Sequence, residues 1–273
     1  MPDIATLLPL VGLLVVTSAF AGLIAGLLGV GGGIVLVPAF LFTFETIGYG
    51  SPQVMQICLA TSLATIIVTS IRSVLSHNKK GAVEWGILRA WAPGIAIGAL
   101  IGVLTAARLR SDFLQALFGC IAIFIGLYFA FGRRDWRLSG AMPGGGMRAL
   151  LSPVVGFLSV LMGIGGGSFG VPMMTLCSVP MHRAVATAAG FGLLIALPSV
   201  LAFLFVPVPA EVRPPLTLGS VNLGAFFIAI SMTLITAPLG AKLAHAVDEK
   251  TLRRSFAVFI LVVAANMLRK SFF

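Results

Sequence analysis

Charged residues are scarce in this sequence: they make up 10% of its 273 residues, with 18 Lys and Arg, 8 Asp and Glu, and 3 His. A soluble globular domain carries roughly a quarter charged residues. Hydrophobic residues make up 59% of the chain, and the mean hydropathy is +1.10. A soluble core of this length cannot bury that apolar excess. The composition therefore excludes an ordinary soluble protein and predicts an all-α, polytopic helical membrane protein.

Catalytic and metal-binding patterns are also missing. The sequence has no HExxH, GxSxG or Walker motif and no carboxylate pair within an apolar stretch, so we expect no enzyme activity, no metal site and no cofactor. Cys58, Cys120 and Cys177 lie in apolar stretches without CxxC spacing, which is typical of buried free thiols. The net charge of +10 comes from basic residues in short loops, as the positive-inside bias predicts. We therefore expect lipid, and no nucleic acid, as the surrounding partner.

Eight apolar stretches follow one another along the chain, at residues 4–44, 51–75, 83–107, 112–132, 149–178, 184–206, 216–243 and 252–268. They are long enough for membrane spans of about 20 residues. The longest polar stretch, from Gly132 to Arg148, is basic and contains Pro143 followed by three glycines. The sequence thus predicts a first transmembrane repeat at 1–132, a linker loop at 133–148 and a second transmembrane repeat at 149–273.

The two halves share a glycine motif. Residues 22–38 read GLIAGLLGVGGGIVLVP and residues 156–172 read GFLSVLMGIGGGSFGVP, with six identical glycine and proline positions and no gap. Ala60-Thr61 likewise recurs as Ala186-Thr187. Duplicated halves are typical of secondary transporters.

Three consecutive glycines break a helix, at a cost of roughly 3 kcal/mol relative to alanines. The chain either continues in one direction past the break, which gives parallel halves, or turns back as a hairpin, which gives inverted halves. The inverted arrangement with the N-terminus outside places twelve basic residues in cytoplasmic loops and five outside, whereas the parallel arrangement gives ten and seven. The positive-inside rule therefore favours inverted-topology repeats, each with a glycine-broken helix hairpin.

The broken helices predict an anion site. The helix after each break exposes unpaired N–H groups and the positive end of its dipole, and glycine lets a ligand approach the backbone. We expect substrate contacts from Gly31, Gly32 and Gly33, and from residues 165–167 (Gly165, Gly166, Gly167) with Ser168 at the start of the second half-helix. The competing interpretation is close helix packing through small residues, for which Gly29 and Gly33 form a GxxxG pair.

Hydroxyl and basic side chains supply further candidates. Hydroxyl groups that can donate to an anion are carried by Thr61, Ser62 and Thr187. The alternative, which we weigh equally, is that each hydroxyl bonds back to a carbonyl oxygen of its own helix. Arg72 lies near several serines on one helix and can compensate charge, whereas most basic residues near span ends extend to the interface. His77 can titrate near neutral pH and couple protons to transport, whereas a loop histidine is more often solvated.

The pattern resembles the TauE/SafE family of sulfite and organosulfonate transporters. The resemblance covers essentially the whole chain and rests on Gly22-x₆-Gly29-Val-Gly-Gly-Gly33-x₄-Pro38, its copy at 156–172, and the stretch from Ala60-Thr61-Ser62 through Ser70 and His77 to Gly81-Ala-Val83. In the second half Ala188-Ala189 replaces Ser62-Leu63. The resemblance implies transport of small sulfur-containing anions such as sulfite, sulfonates or sulfoacetate.

We therefore predict a secondary transporter of a small inorganic or organic anion in the inner membrane. The N-terminus lies outside, the linker is cytoplasmic, and one half rocks against the other to expose the site alternately. An anion-permeable channel and a non-transporting assembly subunit are the alternatives. The sequence leaves open whether protons or sodium drive transport and whether the protein is a monomer or a homodimer.

Overall fold

The computed structural model describes residues 4–28, 32–131, 137–244 and 249–272. These residues form ten helices and one short β-hairpin. The helices are α1 (Ile4–Leu28), α2 (Gly33–Thr46), α3 (Val54–Asn78), α4 (Trp85–Ala106), α5 (Ser111–Phe131), α6 (Gly145–Leu161), α7 (Gly167–Leu176), α8 (Met181–Phe203), α9 (Leu223–Ala244) and α10 (Glu249–Phe272). The strands β1 (Thr217–Leu218) and β2 (Val221–Asn222) pair antiparallel before α9, with Thr217 opposite Asn222. The predicted all-α, polytopic fold is confirmed.

Five helices of the described residues are long and apolar enough to cross a membrane: α3, α4, α5, α8 and α9 up to Gly240. Of the most apolar 18-residue stretch of each helix, 78% is buried in α3 and 56% in α8, whereas 22–39% is buried in α4, α5 and α9. The two best-buried helices, α3 and α8, pack against each other and form the centre of the bundle. Helix α6 begins at Gly145, inside the segment predicted as linker, because the short apolar run before Ser152 extends the helix towards the glycines.

The chain reverses at the glycine motif of the second half. The N–H groups of Leu138 and Ser139, which lead into α6, donate to the carbonyl oxygen of Leu176 at the end of α7, at 2.8 and 3.4 Å. The Ser178 hydroxyl donates to the Ser139 carbonyl oxygen at 2.9 Å. Helix α6 thus enters the bundle, and α7 leaves it, at the same end. Neither piece is long enough for a full span, as the predicted hairpin requires.

Helices α5 and α10 run antiparallel. Gly119, early in α5, faces Leu268 near the end of α10, and Gly126, late in α5, faces Ile260. The bundle therefore has two distinct ends. We call them the linker end, with residues 79–84, 137–144 and 177–180, and the far end, with residues 47–53, 107–110 and 204–222.

The two sequence halves interlock. Helix α1 packs along α9, and α6 packs along α4, so each half buries its first helix against the other half. Matched glycines allow the close approach: a Cβ on Gly156 would overlap the Ile95 carbonyl oxygen, and a Cβ on Gly22 would overlap the Thr236 hydroxyl. The expectation that one half rocks against the other stays a prediction, and the packing shows that the two sequence halves are in contact along these helices.

Gly98→Ala should destabilise the protein strongly, because its Cβ would overlap the carbonyl group of Pro153 on α6, which is backbone and cannot rotate away. We expect the free energy of unfolding to fall by about 1–3 kcal/mol, as for overpacked cores. Gly86→Ala, on the same helix, is the matched control, since nothing lies within 4 Å of its Cβ. Thermal unfolding of both purified variants in detergent measures the difference, and equal melting temperatures would contradict the α4–α6 contact.

Candidate substrate site

The two glycine breaks touch each other inside the bundle. A Cβ on Gly33, the first residue of α2, would lie 2.5 Å from the Gly163 carbonyl oxygen and 2.8 Å from Ile164 Cα. Gly32 has φ +73° and Gly163 has φ +60°, a left-handed backbone that favours glycine. The breaks therefore meet because both contacting surfaces are backbone. Part of the glycine motif serves close packing, as the alternative interpretation holds.

A cavity of about 210 Å³ lies beside this meeting point, between helices of both halves. The described residues that line it are glycines, small apolar residues and hydroxyl residues: Ala25, Gly32, Leu36, Thr65, Ile66, Thr69, Ser70, Ser73, Gly165, Gly166, Gly167, Val171, Val185, Ala188, Ala189, Gly192, Thr233 and Ala237. The central helices α3 and α8 and the second glycine break contribute most of the lining residues.

Unpaired amides face this region from the second break. Helix α7 has no side-chain cap at Gly166, and its first backbone bond runs from Gly170 N–H to the Gly166 carbonyl oxygen at 2.7 Å. The N–H groups of residues 165–168 have no hydrogen-bond partner among the described residues. Helix α2 also starts without a side-chain cap, at Gly32. Buried N–H groups without partners are rare and costly, so such a set is typical of an anion-binding backbone.

The hydroxyls on α3 divide into two kinds. Thr65 and Thr69 donate to carbonyl oxygens of their own helix, those of Ser62 and Thr65, at 2.7 and 3.2 Å. Ser70 and Ser73 have no hydrogen-bond partner among the described residues, and Ser70 is 7% exposed. The Ser70 and Ser73 hydroxyls are therefore free to donate to a ligand in the cavity.

Gly192 marks the position where these donors converge. A Cβ on Gly192 would lie 2.5 Å from Ser70 Oγ and 3.5 Å from the Gly166 nitrogen. The Ser70 hydroxyl and the Gly166 amide therefore both lie beside Gly192, and the missing side chain leaves them accessible from the cavity. An oxyanion in the cavity next to Gly192 can accept from both with separate oxygen atoms.

The structure brings together most of the predicted glycines. Gly32, Gly165, Gly166 and Gly167 line the cavity, while Gly31 lies outside the described residues. Ser168 is 3% exposed and its hydroxyl is unpartnered among the described residues, but it lies behind the lining surface. Gly166 also packs closely, since its Cβ would lie 2.5 Å from the Ala188 carbonyl oxygen.

The repeated threonines are placed elsewhere. Thr61 Oγ1 accepts from the N–H of Asn222, just before α9, at 3.0 Å. Thr187 Oγ1 accepts from the N–H of Glu84, just before α4, also at 3.0 Å. Both are fully buried, and each fixes the start of a helix from the other half. Their recurrence in the sequence thus has a structural explanation.

Ser62 holds the second break in place. Its hydroxyl is fully buried and donates to the Gly163 carbonyl oxygen at 2.7 Å. It positions the turn that leads to the free amides, and it does not line the cavity. Ala188, at the equivalent position of the second half, has no hydroxyl to make such a bond.

The predicted ionisable residues also lie away from the cavity. Arg72 is exposed, and His77 is half-buried in the last turn of α3. Neither lines the cavity in the described residues: Arg72 lies off the face of α3 that carries Thr69 and Ser73, and His77 lies on that face but one turn beyond Ser73, towards the linker end.

Sequence reasoning noted that Ser70 and Ser73 follow Ser62 on the same helix, but it missed other lining residues. Thr65 and Thr69 lie between Ser62 and Ser73 at helical spacing on one face of α3, and this stripe was a readable signal. Gly192 follows Val185 and Ala188 in the same way on α8. Thr233 had no such signal, because its position depends on α9 crossing from the other side of the fold.

Burial along α3 decreases towards the linker end. Thr65 is 1% exposed and Ser70 7%, while Thr69 and Ser73 are half-buried. In the opposite direction Leu59, Thr61 and Ser62 are all 0% exposed. The part of α3 that lines the cavity is therefore less buried than the part towards the far end.

Comparisons with known proteins agree with this architecture. The sequence model of the family described as "Sulfite exporter TauE/SafE" matches residues 14–267. A "Probable membrane transporter protein" of Haemophilus influenzae is 29% identical over 258 residues, covering 94% of this chain and 98% of the relative. A protein of that description from Methanocaldococcus jannaschii is 26% identical over 260 residues, covering 95% and 96%, and one from Bacillus subtilis is 31% identical over 195 residues, covering 64% and 71%.

No solved structure matches the chain. The family match spans nearly the whole sequence, and the names of the relatives indicate a membrane transporter rather than an enzyme. The expected family is therefore confirmed: the chain is a multi-pass membrane protein that belongs to the sulfite exporter TauE/SafE family.

Proposed function

We propose that this protein is a secondary transporter of a small anion, with a sulfur oxyanion or organosulfonate as substrate. The observation that carries the proposal is the cavity lined by residues 165–167, in which the unpaired Gly166 amide and the free Ser70 hydroxyl meet beside Gly192. The family description names sulfite, which is a small oxyanion of this kind.

The unpaired amides of the second break support an anion over a cation. No acidic residue lines the cavity among the described residues, so a sodium ion would have no carboxylate ligand there. An oxyanion instead satisfies the amides that the fold leaves unpaired.

The packing around the cavity supports alternating access rather than a channel. Ser73 on the linker-end side of the cavity is half-buried, whereas the hydrogen bond that the Asn222 N–H donates to Thr61 Oγ1 lies in a fully buried layer towards the far end. A channel needs one continuous path, whereas this packed layer separates the cavity from the far end. The moving units that fit the packing are composite: α1 with α9, and α4 with α6, on either side of the central α3–α8 pair.

We propose the same inverted duplication that the loop charges predict, with repeats at 1–132 and 149–273. It is supported by the antiparallel course of α5 and α10 and by the matched packing of α1 on α9 and α6 on α4. An inverted pair places corresponding helices of the two halves in opposite directions. The basic residues of the linker end then favour a cytoplasmic position in the inner membrane for that end.

Gly192→Ala should abolish substrate binding, because the new methyl group fills the point where Ser70 and the Gly166 amide converge. The protein should still fold, since the Ser70 hydroxyl can rotate away. Gly190→Ala is the matched control: on the same helix its Cβ meets only the flexible end of Leu88, 2.7 Å away, and it does not line the cavity.

The measurement is uptake and counterflow of labelled sulfite in proteoliposomes, with thermal shift in the presence of sulfite as the binding assay. Wild type and the Gly190 variant should both show saturable counterflow, and the Gly192 variant should show neither flux nor a shift. Sulfite flux that persists in the Gly192 variant would overturn this site, and flux without counterflow would indicate a channel.

Ser70→Ala should weaken anion binding by about tenfold, the effect of losing one hydrogen bond to a charged ligand. Ser199→Ala is its control, because Ser199 is equally buried but donates to the Ile195 carbonyl oxygen of its own helix at 2.7 Å. Titration of the thermal shift with sulfite gives both affinities. Equal affinities in the two variants would exclude Ser70 from the site.

The proposed orientation predicts opposite labelling of the two ends. In a variant without native cysteines, Ser139→Cys at the linker end should react with a membrane-impermeant thiol reagent only after the cells are opened. Glu211→Cys at the far end should react in intact cells, since both positions are exposed. Reaction of Ser139→Cys in intact cells would reverse the orientation.

A further inference from the structure

The lining of the cavity carries no net charge in the described residues. Its eighteen residues are glycine, alanine, valine, leucine, isoleucine, serine and threonine. The positive potential that an anion meets there comes from backbone amides and from the N-terminal end of α7, which carries about half an elementary charge. Arg72, the basic residue nearest in sequence to the lining stripe of α3, is exposed to the surroundings of the bundle.

A partial positive charge of this size can compensate part of one negative charge on the ligand, but not a second negative charge as well. A second negative charge on the ligand would sit among the aliphatic side chains of Leu36, Ile66 and Val171 without a counter-ion. A charge without a partner in a buried apolar setting is strongly unfavourable. The lining therefore discriminates by the number of charges that the ligand carries.

An ammonium group on the ligand meets the same obstacle, because no acidic residue lines the cavity among the described residues to compensate its charge. Thr65 and Thr69, which use their protons within α3, leave oxygen lone pairs that suit an uncharged hydroxyl on the ligand. An uncharged or hydroxylated tail is thus accommodated.

We infer that the substrate is bound as a singly charged oxyanion with an uncharged remainder: the protonated form of sulfite, or a short alkanesulfonate or hydroxyalkanesulfonate. Doubly charged sulfonates, such as sulfoacetate, and zwitterionic aminosulfonates, such as taurine, are excluded. This inference rests on the proposed anion site and specifies its substrate class. Ser70 and the second glycine break hold the oxyanion, and the aliphatic and threonine surfaces hold the remainder.

The test compares ligands of similar size and different charge on the purified, full-length protein. Ethanesulfonate and 2-hydroxyethanesulfonate carry one negative charge, sulfoacetate carries two, and taurine is a zwitterion. Each is titrated by thermal shift and as a competitor of labelled sulfite counterflow in proteoliposomes. The two singly charged ligands should bind at least about tenfold more tightly than sulfoacetate and taurine, a difference of about 1.4 kcal/mol or more.

A pH series gives a second, independent measurement. The apparent affinity for sulfite should fall from mildly acidic to mildly alkaline pH as the singly charged form is lost, whereas the affinity for ethanesulfonate should stay constant. The Gly192→Ala variant should bind none of the ligands.

Each outcome separates the two proposals. Sulfoacetate or taurine binding as tightly as ethanesulfonate, with loss in the Gly192→Ala variant, would overturn the charge rule and leave the anion site intact. Ligand shifts that are the same in wild type and in the Gly192→Ala variant would overturn the anion site itself.

Discussion

The contact between the two glycine breaks determines the centre of this protein. Gly33 lies against the backbone of Gly163 and Ile164, so that the described residues of the two breaks meet in the bundle. Backbone that leaves helical geometry at membrane depth must be covered by protein or line a cavity. Here both conditions hold for the described residues: Gly33 packs against the second break, and Gly32 and residues 165–167 face the cavity.

The central helices support this contact from both sides. The Ser62 hydroxyl fixes the Gly163 carbonyl oxygen from α3, and the Ala188 carbonyl group closes against Gly166 from α8. Ser62 and Ala188 thus hold the turn in a position where the N–H groups of residues 165–168 have no partner among the described residues. The site is thus electropositive without any cationic side chain, which suits a region where a buried Lys or Arg is expensive.

Much of the fold could be predicted from the sequence, because membrane helices and glycine breaks leave strong local signals. The chain reversal near Gly163 and the presence of Gly165 and Gly166 at the cavity follow from the duplicated motif. The roles of Thr61 and Thr187 could not be predicted, since a recurring threonine has the same appearance whether it binds a ligand or accepts from a helix terminus of the other half. Gly192 and Thr233 depend on which helices cross, and that pairing is long-range.

The packing of α1 on α9 has a consequence for how the chain assembles. Helix α1 is made long before α9, whose Thr233 and Thr236 face Gly22, so this contact forms only after α9 has been inserted. Helix α6 differs, because α4 is already in place when it is made. For α1 and α9, the order of synthesis is therefore not the order of assembly.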